Sequence, residues 1–357
     1  MARKGDIEMV VVMDTKASEA DIARVVHEVE TVGGQAFVSQ GKLRTVIGLV
    51  GDTTRFMELP LATLPHVEQV IRVGKPYKLV ARELHQDATI VNVAGVPIGE
   101  GYFTMIAGPC AIETEEQAIA GAKMAQQMGA HILRGDAYKH RTSPYAFQGL
   151  GKRGLEILRL MSQETGMPTV TEVLEPADVQ VVAEYADILR VGTRNAQNFP
   201  LLRECGRSGK AVMLKRGMAG TIEEWLMAAE YVAREGTNDI ILCERGIRTY
   251  EPAYRNTLDI AAVPTAKELT HLPVIVDPSH SGGRKELVAP LARAAVAAGA
   301  DAVMIDIHPD PRTALCDGPQ ALTGGECDEL GAELLAIAEA VGKKPATHAA
   351  GGRAKDD

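Results

Sequence analysis

The chain has 357 residues, 46% of them hydrophobic and 24% charged, with 38 Lys and Arg against 47 Asp and Glu for a formal charge of −9. This is the make-up of a folded protein of about two domains, and it excludes a disordered chain. The acidic balance argues against nonspecific nucleic-acid binding, which needs surplus cations to neutralise phosphate. One Trp, eight Tyr and five Phe are too few for a base-stacking platform.

No apolar run approaches the roughly 20 residues of a membrane span, and the first residues, Met1 to Asp6, carry no apolar leader, so a cytoplasmic protein is expected. The five Cys are scattered, form no Cys-x-x-Cys pair and do not read as a disulfide framework.

In chain order, residues 1–80 read as a small α+β unit. Ile7–Met13 is a β-branched run. Ser18 can cap a helix with Ile22, Val25, Val26 and Val29 on one face, which Gly33-Gly34 ends. Strands follow around Ala36–Ser39 and Arg44–Val50, then a short helix near Thr54–Leu59 and a strand near Val67–Val73. The order β-α-β-β-α-β predicts a ferredoxin-like fold, suited to a regulatory ligand or to oligomerisation. Residues 81–101 are assigned to linker and hairpin: linker composition starts at Gly74, within the end of the first unit, and runs to His85, and Thr89–Val93 and Val96–Ile98 form a hairpin around Ala94-Gly95.

From 102 to 342 short apolar strands alternate with helical stretches. The predicted strands are Phe103–Ala107, His131–Arg134, Thr169–Val173, Ile188–Val191, Ala211–Leu214, Ile240–Cys243, Val274–Asp277 and Ala302–Ile307. Helices include Glu115–Met128, Lys152–Thr165 and Ile222–Glu235. Eight such units in this length predict a (β/α)8 TIM barrel. An open doubly wound sheet is the alternative, because alternation alone does not tell closed from open parallel sheets. Residues 343–357, rich in Ala, Gly, Lys and Asp, are expected to be a disordered tail.

Barrel enzymes do their chemistry at the C-terminal ends of the strands, and here those ends are polar. Two groups separate. Cys110, His280, Asp306 and Asp317 could hold one divalent first-row metal, Mn, Fe, Co or Zn. Taken singly, a Cys is usually a small buried apolar residue and a His near a strand end is often only hydrogen-bonded; it is the four together at strand ends of one barrel that point to a metal. Arg134, Lys139, Arg141, Arg194, Lys215 and Arg245 form a cationic set implying phosphate and carboxylate substrates. The alternative is a set of ion pairs with Glu172, Glu244 and Asp136. Thr142 and Ser143, beside Arg141, suit phosphate oxygens.

The motifs Gly108-Pro109-Cys110-Ala111-Ile112-Glu113, Lys139-His140-Arg141-Thr142-Ser143-Pro144-Tyr145-Ala146-Phe147-Gln148-Gly149, Leu214-Lys215-Arg216-Gly217, Cys243-Glu244-Arg245-Gly246 and Asp277-Pro278-Ser279-His280-Ser281-Gly282-Gly283-Arg284 closely resemble the 3-deoxy-D-arabino-heptulosonate 7-phosphate (DAHP) synthases of the type I beta branch, over about residues 7–341. That resemblance implies a metal-dependent, aldol-like condensation of phosphoenolpyruvate with D-erythrose 4-phosphate at the entry to the shikimate pathway. It places the metal, with Mn favoured, on Cys110, His280, Asp306 and Asp317. It places phosphoenolpyruvate on Arg134, Lys139, Arg194, Lys215 and Arg245, and erythrose 4-phosphate on Arg141, Thr142, Ser143 and Asp277. Lys139, Cys110 and His280 are the implied catalytic residues. The resemblance further implies a homotetramer or dimer and feedback inhibition by an aromatic amino acid bound to the N-terminal unit.

Three positions depart from the family pattern. His140 stands where Pro is usual, Asp306 where Glu is usual, and Asp136 where a small residue is frequent. These leave two other readings open. One is a paralogue using another aldose phosphate, as the 3-deoxy-D-manno-octulosonate 8-phosphate synthases do. The other is a weakly active barrel serving as a ligand-sensing or partner-binding subunit.

Overall fold

The computed structural model describes residues 8–40, 45–73, 76–83, 85 and 87–347. They divide into two compact units, residues 1–76 and 77–357.

The first unit is a four-stranded antiparallel sheet of β1 (Met9–Met13), β2 (Gln35–Gln40), β3 (Thr45–Val50) and β4 (Val67–Arg72), in the order β2-β3-β1-β4. This is the ferredoxin-like arrangement. Ser18 caps the helix Glu19–Thr31 in a reciprocal capping box with Asp21. The helix buries Ile22, Val25 and Val29 against Met9, Val11, Met13, Ile47 and Leu49 of the sheet. The second helix runs Thr53–Glu58 and is followed by a turn of 3-10 helix, Leu61–Thr63, that the sequence reading lacks. Ile7, Arg44 and Gly74, at the edges of predicted segments, lie outside the described residues.

The second unit opens with a hairpin of β5 (Ile90–Val93) and β6 (Val96–Gly99). Ala94 and Gly95 both take positive φ at its turn, the backbone that a tight two-residue hairpin demands. Eight parallel strands follow: β7 (Tyr102–Gly108), β8 (Ile132–Arg134), β9 (Thr169–Val173), β10 (Ile188–Val191), β11 (Ala211–Lys215), β12 (Ile240–Glu244), β13 (Val274–Val276) and β14 (Ala302–Asp306). Each pairs with the next, and β14 pairs with β7, so the sheet closes. The open-sheet alternative is thereby excluded.

The strands' two-residue period sorts their side chains. Val170, Ile188, Met213, Ile241, Ile275 and Met304 point inward and pack with Val91, Val93, Val96 and Ile98 of the hairpin, which stoppers the N-terminal end of the barrel. Their alternates, such as Leu133, Leu189, Leu214 and Val303, face the surrounding helices. Two residues further along six of the eight strands, the inward positions become polar.

The segment from residue 343 differs from the expectation. Lys344–Pro345 forms β15, which pairs with the start of β7. Lys343 Nζ bonds the buried Asp301 at 2.6 Å, and Ala346 is buried with the barrel interior. Composition predicted disorder here because the anchors, one strand edge and one buried carboxylate, are distant in sequence. Residues 348–357 lie outside the described residues.

Candidate active site

The inward positions at the C-terminal ends of the strands are Arg134 on β8, Glu172 on β9, Arg190 on β10, Lys215 on β11, Asp277 just after β13 and Asp306 on β14. All six are buried. Buried ions need partners, since unpaired charge in a low-dielectric interior costs several kcal/mol or more. Here carboxylates and cations alternate. Arg134 bonds Asp306 and, at 2.8 Å, Asp136. Arg190 bonds Asp136 at 2.7 Å and Glu172 at 2.8 Å. Lys215 bonds Asp277.

Asp136, in the loop after β8, is the hub. Its Oδ2 accepts from Arg134, Lys139 and Arg190, and its Oδ1 accepts from the Glu172 amide at 3.2 Å. Burial opposes its charge, but Arg190, Lys139 and Arg134 outweigh that and hold the carboxyl far below the usual range. An added carboxylate amid anion-binding residues is tolerated because three cations surround it.

Above this layer lies a cavity of about 290 Å³, with walls that include Lys139, Arg141, Thr142, Ser143, Arg194, Lys215, Arg245, His280 and Asp317. Among the described residues Arg141, Arg194 and Arg245 have no carboxylate partner. Arg141 donates to Phe147 O, Arg194 to His140 O and Thr142 Oγ1, and Arg245 to Asn256 Oδ1 and Gly246 O. Neutral acceptors fix these guanidinium groups while leaving their charge uncompensated, the disposition expected for binding phosphate or carboxylate. The ion-pair alternative holds for Arg134 and Lys139, both paired with Asp136, and for Lys215, paired with Asp277, and not for these three.

Beside the cavity, Cys110 Sγ, His280 Nε2 and Asp317 Oδ2 converge. Their separations are 3.6 Å from Cys110 to His280, 3.1 Å from Cys110 to Asp317 and 3.5 Å from His280 to Asp317. Local structure aims each one. Cys110 follows Gly108, where a side chain would collide with the Arg134 carbonyl. His280 sits in a helical turn, Pro278–Gly282, that Asp277 caps, its carboxylate accepting from the His280 amide at 2.9 Å. Asp317 takes a left-handed backbone, φ 52° and ψ 28°, which is uncommon outside glycine and signals a constrained site.

Burial opposes ionisation of Asp317, but the bond and charge of His280, with Lys139 and Arg255, keep its carboxyl well below the usual range. A hydrogen bond to Cys316 and burial push the Cys110 thiol up. His280 Nδ1, on the other side of the ring, lies 2.9 Å from Asp277 Oδ2 but off the line of a hydrogen bond. A thiol, an imidazole and a carboxylate meeting at one point fit a divalent metal by the chemistry of their donors.

Asp306 does not join that cluster. One oxygen accepts from Arg134 and the other from Gln320 at 2.6 Å, and its nearest approach to His280 is 3.5 Å, to Nδ1. Arg134 and Asp277 are likewise sealed beneath the cavity rather than lining it. Arg190, Arg255 and Gln320 went unnoticed in the sequence. Arg190 had a signal, a charged residue between Leu189 and Val191 on an otherwise apolar strand. Arg255 and Gln320 had none, because loop residues follow no period.

A closed barrel with an anion-binding mouth beside a thiol, imidazole and carboxylate cluster defines a barrel enzyme of small anionic molecules. Residues 83–341 match the DAHP synthetase I family and residues 9–75 match the DAHP synthase ferredoxin-like domain. The chain is 51% identical over 336 residues, 94% of its length and 99% of the relative's, to phospho-2-dehydro-3-deoxyheptonate aldolase of Thermotoga maritima. The crystal structure of a DAHP synthase from that organism superposes with a TM-score of 0.89 at 49% identity, covering 95% of this chain and 99% of that one. A 2-dehydro-3-deoxyphosphooctonate aldolase of Syntrophotalea carbinolica is 34% identical, covering 69% of this chain and 95% of the relative. The chain belongs to the DAHP synthetase I family, the DAHP synthases, and carries that family's ferredoxin-like domain.

Proposed function

We propose that this chain condenses phosphoenolpyruvate with D-erythrose 4-phosphate and water to give DAHP and inorganic phosphate, the first step of the shikimate pathway. The observation that carries this is the trio of uncompensated arginines, Arg141, Arg194 and Arg245, around one cavity beside the Cys110, His280 and Asp317 cluster.

In this reading Arg194, Lys215 and Arg245 hold the phosphate and carboxylate of phosphoenolpyruvate, while Arg141, Thr142 and Ser143 hold the phosphate of the sugar. Arg134 acts from beneath by fixing Asp136 and Asp306. Asp277 orients Lys215 and His280. Two anions fixed in register turn an encounter of three molecules into a reaction within one complex, the largest entropic gain open to such a site. C3 of phosphoenolpyruvate then attacks the aldehyde carbon, water adds at C2, and phosphate departs with the bridging oxygen. Cys110, His280 and Asp317 would hold a divalent metal, Mn, Fe, Co or Zn, which supplies Lewis acidity toward the aldehyde oxygen. Lys139 stands 3.3 Å from Cys110 Sγ. Burial alone would depress its ammonium, but Asp136 and Cys110 outweigh burial and raise it. Lys139 therefore enters the reaction charged, as a stabiliser of developing negative charge at the aldehyde oxygen.

The same reading extends to an aromatic amino-acid effector at residues 9–75, to a homotetramer or dimer, and to the cytoplasm as the place of work. No helix among the described residues is long and apolar enough to cross a membrane. Phosphoenolpyruvate consumption by EDTA-stripped protein, with and without Mn²⁺, tests the substrate. Consumption with erythrose 4-phosphate alone supports the reading. Consumption with arabinose 5-phosphate instead would move the chain to the chemistry named for the S. carbinolica relative.

A further inference from the structure

Among the described residues Arg245 is buried without a carboxylate partner, yet it walls the cavity, so a neutral group must aim it. That group is Asn256, whose Oδ1 accepts from Arg245 Nη1 at 2.6 Å, against 3.4 Å for the Gly246 carbonyl. Asn256 is itself buried and stands behind Arg245 rather than in the cavity wall. Its orientation is fixed at both ends. Arg245 can only donate, so the amide turns its oxygen that way. The Arg255 carbonyl can only accept, so Nδ2 lies on that side and donates to it at 2.7 Å.

The chain brings Asn256 there by folding back on itself. The loop after β12 leaves at Gly246 and returns at residues 255–257, where Ile247 and Thr257 exchange two backbone hydrogen bonds of 2.9 Å. The returning limb lies on the helical turn that carries His280. The Asn256 amide donates to Ser281 O at 2.8 Å and the Arg255 amide to Gly282 O at 3.2 Å. Gly246, at φ 89°, leaves room for this approach, because a Cβ there would stand 2.8 Å from Asn256 Cβ. The carboxylates that act on Arg245 through space, Asp277 and Glu244, are committed to Lys215 and Arg216. Burial therefore outweighs them and pulls Arg245 below the ordinary arginine value, whereas Arg216, which bonds two carboxylates, is raised. A cation held by an amide keeps its attraction for an incoming anion, and one held by a carboxylate does not.

We propose that Asn256 is a positioning residue for phosphoenolpyruvate, an uncharged acceptor that aims Arg245 at the substrate while leaving the guanidinium charge free. This rests on the reading that Arg245 binds phosphoenolpyruvate. The neutrality of the amide is the operative property. Aspartate has nearly the same shape and can accept the same bond, but its charge satisfies Arg245 before substrate arrives and repels the anionic ligand. Alanine releases Arg245 without compensating it. The order of damage is therefore the reverse of the order of resemblance, with Asn256→Asp harming binding more than Asn256→Ala.

The test is calorimetric binding of phosphoenolpyruvate, without the sugar, to the full chain loaded with Mn²⁺, at circular dichroism matched to the parent. Asn256→Asp should weaken binding about thirtyfold or more, and Asn256→Ala about three- to tenfold. In both, the KM for erythrose 4-phosphate at saturating phosphoenolpyruvate should stay within about twofold of the parent. Mn²⁺ affinity should hold as well, and it reports on the integrity of the loop because Arg255 bonds Asp317 at 3.3 Å and Gln320 at 3.0 Å. Unchanged phosphoenolpyruvate affinity in either variant, equal losses for both substrates, weakened Mn²⁺ binding, or a greater loss in Asn256→Ala than in Asn256→Asp would overturn the proposal and leave Asn256 a loop-packing residue. Arg245→Gln separates the two claims, since it should weaken phosphoenolpyruvate binding whatever Asn256 does. Binding at the parent's strength in Arg245→Gln would overturn the reading of Arg245 and the proposal with it.

Discussion

Replacing Asp136 with Asn preserves the shape of the hub and removes its charge. Oδ2 of Asp136 accepts from Arg134 at 2.8 Å, Lys139 at 2.8 Å and Arg190 at 2.7 Å. After the substitution Arg134 keeps Asp306 and Arg190 keeps Glu172, so those two remain paired. Lys139 loses the one carboxylate it contacts among the described residues. Removing one member of a buried ion pair destabilises by about 3–5 kcal/mol. The surviving pairs put Asp136→Asn near the lower end, about 3 kcal/mol.

Urea unfolding followed by tryptophan fluorescence reads this directly. The single Trp, Trp225, is buried in the barrel unit and donates to Leu214 O at 3.1 Å. The Asp136 carboxyl is depressed in the folded state, so its stabilisation is complete above the unfolded value of about 4 and is lost as pH falls further toward the folded value. The parent should therefore exceed the variant by the same margin at pH 5 and pH 8, and the margin should narrow only below about pH 4. A difference under about 1 kcal/mol at neutral pH, or one that changes between pH 5 and pH 8, would refute the pairing described for this hub.

Three further outcomes are expected. Gly192 has an ordinary φ of −71°, but an added Cβ would collide with the Glu172 carboxylate. Gly192→Ala should therefore displace Glu172 from Arg190 and lower the urea midpoint by an amount equivalent to about 1–3 kcal/mol; an unchanged midpoint would mean that Glu172 yields freely. Lys139→Met should reduce turnover about a hundredfold or more in a phosphoenolpyruvate-consumption assay, and near-normal turnover would remove Lys139 from the reaction. Deletion of residues 1–76 should leave a folded barrel with the Trp225 emission of the parent and with catalysis, but without response to tyrosine or phenylalanine. A truncated protein still inhibited by either amino acid would contradict the placement of the effector.

What the sequence made legible follows from period and punctuation. The barrel strands declare themselves because each is a short apolar run buried on both faces, such as Ile188–Val191 and Ala302–Asp306. The cap at Ser18 and the Ala94-Gly95 turn are local signals, readable without tertiary context. Cys110, His280 and Asp317 could be gathered because strand ends and their loops share one face of a barrel. Asp306 shares that face, but strand position does not tell which way a carboxylate turns. That depends on Arg134 and Gln320, residues far away in sequence. The same limit hid Arg190 as the partner of Asp136, since a three-cation hub forms only when β8, the loop after it and β10 are side by side. The ordering of Lys343–Pro345 was hidden likewise, because its anchors are Asp301 and the start of β7.

The most direct measurement uses phosphoenolpyruvate labelled with heavy oxygen at the bridging position, incubated with metal-loaded protein and erythrose 4-phosphate, with both products read by mass spectrometry. The expected result is a seven-carbon 3-deoxy sugar phosphate and inorganic phosphate carrying the label, because the C2–O bond breaks and water supplies the new oxygen. Absence of the seven-carbon product, or release of unlabelled phosphate, would contradict the condensation assigned to this cavity.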